Sequence, residues 1–159
     1  MPRRYGLFTD LQIKVLIGRS RGLTLREIAK ILNTSHQNIS IAEKRAYDKL
    51  ENAKRTILIY YIISSPIRII IDRDTHLMDV PKIIVSECDK KGIRLRSDFT
   101  LIYKLIRFNA FECISGSRIV KPILIIVDET GKPHVYPFNK VRDLYSQLEK
   151  IRQEIGGHP

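Results

Sequence analysis

The side chains most suited to chemistry lie close together in the first third of the chain: His36, Gln37, Ser40, Ile41, Lys44 and Arg45. An α-helix turns about 100° per residue. With Ile39, Ala46 and Leu50 set toward a core, Gln37, Ser40, Ile41 and Lys44 share the opposite face. His36 then falls to one side of that face and Arg45 to the other. A glutamine carboxamide can bond adenine at two points, a serine hydroxyl suits any base edge, and a lysine suits guanine or phosphate. Ile41 has little physical reason to stand on a solvated helix face, but in a groove it can cover a thymine methyl. Its competing assignment is to pack beneath a loop of the later sequence. The spacing predicts base reading by His36, Gln37, Ser40, Ile41 and Lys44. Thr24, Arg26, Thr34 and Ser35 fall at helix starts or in the turn, where hydroxyls and amides bond phosphate oxygens, and Arg45 joins them as a phosphate contact.

These residues need rigid supports, and the sequence supplies the punctuation for them. Thr9 and Gln12 have the spacing of a capping box, as do Thr24 and Glu27. The first box predicts a helix through Leu11, Ile13, Val15, Leu16 and Ile17, ending near Arg21-Gly22. The second predicts a short helix with Leu25, Ile28, Ala29 and Leu32 on its apolar face, stopped by a left-handed Asn33. Ser35 caps a third helix beginning at His36. Its apolar stripe is Ile39, Ala42, Ala46, Leu50, Ala53, Ile57 and Tyr60, which carries the helix toward Ile63 unless it breaks near Arg55. Three helices with a tight turn between the second and third form the helix-turn-helix plan, in which the third enters the major groove.

Charge is distributed in the same sense. The chain carries a formal net charge of +11, which favours polyanionic partners, nucleic acid first and an acidic membrane surface second. Residues 1–55 hold 12 Lys and Arg against 5 Asp and Glu, while residues 56–159 hold 16 against 12. Positive charge is concentrated where the helix-turn-helix is expected. The abundance of Ile, Lys and Arg suggests a thermophilic source. No apolar run approaches the roughly 20 residues of a membrane span, and no leader peptide is evident, so a cytoplasmic protein without membrane contact is expected.

From Ile67 the texture changes. Strands are expected at Ile67 to Ile71, Ile93 to Arg96, Arg118 to Val127 and His134 to Phe138, the last two joined by Asp128-Glu129-Thr130-Gly131. Helices are expected from Pro81 to Gly92, from Ser97 or Asp98 onward, and from Lys140 to Ile155. The fold class is therefore α+β: an all-α helix-turn-helix domain over residues 1–63, then a small α+β domain with a C-terminal helix over 67–159. Val141, Leu144, Leu148, Ile151 and Ile155 recur at three and four, as in a coiled-coil seam. They are the expected contacts of a homodimer, unless the stripe packs on its own sheet.

Other functions are weaker. Asp72, Asp74, His76 and Asp79 share one loop, and Asp89-Lys90-Lys91 has a carboxylate near a lysine, the beginnings of a metal-dependent nucleic-acid enzyme; the several converging groups a hydrolase needs are missing. Four His and two Cys lack zinc spacing, and Cys88 and Cys113 are expected as buried thiols. No metal, cofactor or catalytic residue is expected. A small-molecule effector bound by residues 67–138 is an alternative, although no Gly-rich phosphate loop marks a site. RNA binding would need aromatics exposed on a sheet, and Tyr60, Tyr61 and Phe108 are expected in the core.

Phe8-Thr9-Asp10-Leu11-Gln12, Arg21-Gly22-Leu23-Thr24, Glu27 to Ser35 and Asn38 to Ala46 also carry a resemblance. They are similar to the archaeal Tfx-type DNA-binding proteins, whose head resembles the LuxR and sigma-factor class of helix-turn-helix. The likeness continues through Asp79-Val80-Pro81-Lys82, Asp89, Gly92-Ile93 and Arg94-Leu95-Arg96. It implies a transcription regulator with double-stranded DNA as its partner and an α+β tail of undefined role. His36-Gln37 stands where the resemblance leads one to expect Arg-Ala, so the site read should differ. The helix beyond Phe138 has no counterpart in that pattern.

Overall fold

The computed structural model describes residues 4–156. Its elements run β1 (Arg4–Tyr5), β2 (Phe8–Thr9), α1 (Asp10–Ser20), α2 (Leu25–Ile31), α3 (His36–Ser64), β3 (Ile67–Ile71), α4 (Val80–Lys90), α5 (Phe99–Asn109), β4 (Ile114–Ser115), β5 (Arg118–Ile119), β6 (Ile123–Val127), β7 (Pro133–Pro137) and α6 (Phe138–Gly156). The architecture is α+β, as expected. By packing, the chain divides into Met1–Ile57 and Leu58–Pro159.

In the first unit both capping boxes form. Thr9 accepts the Gln12 amide while Gln12 returns to the Thr9 amide, and Thr24 and Glu27 do the same. The core gathers Val15, Ile28, Ala29, Ile39 and Ala42, with Leu11, Leu23, Leu25 and Leu32 against it. Gly18 makes the crossing of α1 and α2 close, since a Cβ there would lie 2.7 Å from Ile28 side-chain carbons. A hairpin of β1 and β2, which no sequence signal marked, precedes α1. Lys49 of α3 ties it down by donating to the Leu7 carbonyl at 2.8 Å and to the buried Gln12 Oε1 at 2.9 Å.

The apolar stripe expected along α3 is buried only in part. Ile39, Ala42 and Ala46 are inside, but Leu50, Ile57 and Tyr60 are exposed. A helix repeats every 3.6 residues, so a long stripe at steps of three and four drifts around it. After Ala46 the buried position passes to Ile62. Ile62, with Leu58 and Tyr61, packs in the second unit against Leu124, Ile126 and Val141. The packing boundary thus falls after Ile57, ahead of the Ile63 boundary that the composition suggests.

The second unit is built on an antiparallel sheet of order β3-β6-β7. Register pairs Ile67 with Val127 and Ile71 with Ile123, then Ile123 with Pro137 and Val127 with Pro133. Every residue of β6 is buried, as befits a central strand covered on both faces. One face packs on α4 and α5 through Ile84, Cys88, Ile102 and Ile106. The other packs on the end of α3 and on α6.

Two expectations are corrected here. Ile93 to Arg96 alternates as a strand should, with Ile93 and Leu95 against the core, yet it joins no ladder. Two backbone bonds fix the segment instead, from the Ile93 amide to the Cys88 carbonyl at 2.9 Å and from the Arg96 amide to the Gly131 carbonyl at 2.8 Å. The coiled-coil seam is also revised. Val141 is buried and Leu144 and Leu148 are partly buried on the chain's own sheet, which leaves only Ile151 and Ile155 exposed. Cys88 and Cys113 are free and buried, and burial pushes both thiols up from their ordinary range, so they are inert.

Candidate nucleic-acid interface

The surface is assembled at the joint between α2 and α3. Leu32 closes α2, and Asn33 follows at φ 49. The Thr34 amide donates to the Ala29 carbonyl at 3.0 Å, and the Asn33 amide to Lys30 at 3.2 Å. This is the six-to-one and five-to-two pattern of a Schellman ending, which a left-handed Asn permits. The chain then enters α3 at once. Ser35 Oγ accepts the Asn38 amide at 3.1 Å, and Asn38 Nδ2 donates to Thr34 Oγ1 at 3.0 Å. The turn therefore holds the first residues of α3 in a fixed orientation relative to α2.

On that helix His36, Gln37, Lys44 and Arg45 are exposed, and Ser40 is half-buried. Ile41 stands among them, 43% exposed. Glu43, next to Lys44, is neutralised by Arg19 at 2.9 Å and so does not oppose an anion. Arg26, Lys30, Lys44 and Arg45 have no carboxylate partner among the described residues. The first turn of α3 holds no acidic residue, so no carboxylate of that turn neutralises the positive end of its backbone dipole.

The phosphate candidates differ in what their side chains already bond. Thr24 is exposed, but its hydroxyl accepts the Glu27 amide and donates to Glu27 Oε2 at 2.8 Å, while its own amide donates to the same oxygen at 2.7 Å. Those bonds hold the Glu27 carboxyl below its usual range and leave Thr24 no free donor. Thr24 thus serves as the cap of α2. Arg26, by contrast, stands beside Ala29, Lys30, Asn33, Thr34 and His36 around an open hollow of about 550 Å³. Lys30 and Asn33, which border the same hollow, were not singled out for this surface in the sequence. The signal was present, because Lys30 lies four residues after Arg26 and therefore on the same helix face.

The remaining candidates do not assemble. Asp74 pairs with Arg73, Asp79 with Lys82, and His76 Nδ1 accepts the Met78 amide. Among the described residues no three His, Cys, Asp or Glu side chains gather as a metal site. Tyr60 and Phe108, expected in the core, are 62% and 88% exposed, but they lie on helices rather than on a sheet that bases could stack upon. Tyr61 is half-buried, its ring 4.2 Å from that of His134. No described helix is long and apolar enough to cross a membrane.

Comparison with known proteins bears on the whole chain. The family model described as "DNA-binding protein, TFX, C-term" matches residues 53–135, from the later turns of α3 through most of β7. A candidate transcriptional regulatory protein of Methanocaldococcus jannaschii is 41% identical over 123 residues, 77% of this chain and 90% of that protein. Another, of Methanococcus vannielii, is 35% identical over 83% of this chain and 93% of its own length. The DNA-binding protein Tfx of Methanothermobacter marburgensis is 34% identical over 71% of this chain and 81% of its own. The family model lies almost wholly in the second unit, whereas the relatives are matched over lengths that neither unit could supply alone.

Proposed function

The chain belongs to the TFX family of DNA-binding proteins and is a DNA-binding transcriptional regulator; from that premise we propose that it reads double-stranded DNA by seating the start of α3 in the major groove. One observation carries the reading. The exposed face of α3 presents Gln37, Ile41 and Lys44 beside an uncountered Arg45, on a helix whose entry is locked by the Asn33 turn. Gln37 and Lys44 supply base-edge hydrogen bonds, Ile41 covers a thymine methyl, and His36 and Ser40 contact the base pairs at either edge. Arg26, Lys30, Thr34, Ser35 and Arg45 hold the phosphates on either side and set the register.

The protein acts as a homodimer in this reading. One helix-turn-helix reads only a few base pairs, which discriminates poorly against a genome of competing sites, and two half-sites multiply the selectivity. The function needs neither cofactor, effector nor catalytic step, and it places the protein with the DNA in the cytoplasm. Selection of bound duplexes from random DNA tests it. The expected result is one short motif repeated in two-fold related half-sites. Recovery of duplexes without any common sequence would reduce the function to sequence-independent binding and overturn the reading.

A further inference from the structure

The second unit leaves an apolar surface where α6 outruns the sheet. Strands of five residues span roughly 17 Å, while the 19 residues of α6 extend roughly 28 Å. The stripe that begins with Val141, Leu144 and Leu148 on the sheet therefore continues past its edge as Ile151 and Ile155, 49% and 82% exposed. Ile63, near the end of α3, faces the same place. With Leu148, Ile151 and Ile155 it lines a hollow of about 320 Å³. Arg152 borders the hollow with its charge already committed, since Nη2 donates to the Ile62 carbonyl at 3.0 Å and Nε lies 3.2 Å from Glu149. Three isoleucines bare in one place form a contiguous apolar patch of the kind that marks an interaction surface.

Charge decides what covers them. Lys150 and Glu154 stand on the solvent side of Ile151, and neither has an ion-pair partner among the described residues. If two copies of α6 approach antiparallel so that Ile151 of one meets Ile155 of the other, Lys150 of each copy comes beside Glu154 of its partner. The surface is self-complementary, as a two-fold contact requires. A second exposed apolar surface of this unit, on α5, is not. There Leu101 and Phe108 flank exposed Lys104 and Arg107, which have no carboxylate partner among the described residues, so two copies meeting on α5 would bring like charges together.

We propose that the second copy of the chain docks on the overhanging end of α6 and the end of α3, through Ile63, Ile151 and Ile155 with reciprocal Lys150 and Glu154 pairs. The proposal rests on the homodimer in the reading above and gives it a surface. Sedimentation of the full chain tests it, with binding to a single half-site as a second readout. The intact protein should sediment as a dimer. Ile151→Glu with Ile155→Glu should sediment as a monomer at the same concentration yet bind one half-site as well as the intact chain. Phe108→Glu should remain a dimer. Lys150→Glu alone should weaken the dimer roughly two- to fivefold, and adding Glu154→Lys should restore it. An intact protein that is monomeric overturns both the dimer and its surface. A dimer that survives the paired isoleucine change, or that Phe108→Glu breaks, overturns the surface and leaves the dimer standing. Loss of half-site binding in every variant and in the intact chain would instead strike the reading of DNA by α3.

Discussion

Lys44 and Arg45 follow the first two turns of α3, exposed and without a carboxylate within reach among the described residues. In the proposed reading Arg45 holds a phosphate, and the Lys44 ammonium meets a base edge while its charge also offsets the neighbouring phosphates. Each phosphate neutralised releases counterions, so Lys44→Ala or Arg45→Ala should lower the slope of log affinity against log salt by roughly one unit. A slope left unchanged, measured over several salt concentrations, would deny that residue a direct contact. At this scale the sequence was most informative where bonds are local. The two capping boxes, the left-handed Asn33 and the exposed Ile41 all depend on neighbours within one or two turns. Phe108 was misread because its fate depends on which face of α5 the sheet covers. Ile102 and Ile106 take that face, and Phe108 falls on the other.

At the scale of elements, the turn between β6 and β7 holds the most strongly perturbed carboxyl. Burial pushes Asp128 up, but His134 Nε2 at 2.9 Å, the Thr130 hydroxyl and the amides of Thr130 and Lys132 outweigh it. The group is held at about 2, below its ordinary value of 3.8. A carboxyl depressed on folding stabilises the protein above its unfolded value, and the contribution disappears as pH falls from about 4 toward 2. The side chain is only 14% exposed, so the amount is on the order of 2 kcal/mol. Thermal melts should show Asp128→Asn destabilised by about 1–2 kcal/mol at neutral pH, with the difference from the intact protein shrinking in acid. A constant difference between pH 6 and 2 would refute the assignment. The turn itself was legible, because Gly131 is needed at φ 83, where a Cβ would lie 2.1 Å from the Arg94 carbonyl oxygen. Ile93 to Arg96 was not legible as an unpaired segment, since alternation reports which side is buried and says nothing of a partner strand. The hairpin of β1 and β2 was hidden for a related reason: two-residue strands are too short to show a period.

At the scale of the molecule, the α+β class and the order of a helical head before a sheet were readable from texture alone. The boundary was not. Composition turns over at Pro66, but packing turns over after Ile57, because Leu58, Tyr61 and Ile62 belong to the core above the sheet. A fragment of residues 1–57 should therefore be folded by circular dichroism and bind a half-site weakly. A fragment of residues 1–65 carries Leu58 and Ile62 without their cover and should self-associate. If the longer fragment is the better behaved of the two, the division is misplaced. The C-terminal stripe shows the same limit of pattern reading, for one period served the chain's own sheet at Val141, Leu144 and Leu148 and left Ile151 and Ile155 bare.

The central claim is that the start of α3 reads sequence, and Gln37 tests it most directly. It is the second residue of the helix, exposed, and held in place by the turn before it. The affinities of the intact protein and of Gln37→Ala are to be measured for the selected site and for every single-base variant of one half-site. The account predicts that the substitution costs about 1–3 kcal/mol on the selected site and almost nothing further where one particular base pair is already changed, so that preference at that pair alone is flattened. Equal loss on every duplex would make Gln37 a phosphate contact, and no loss on any would remove α3 from the groove.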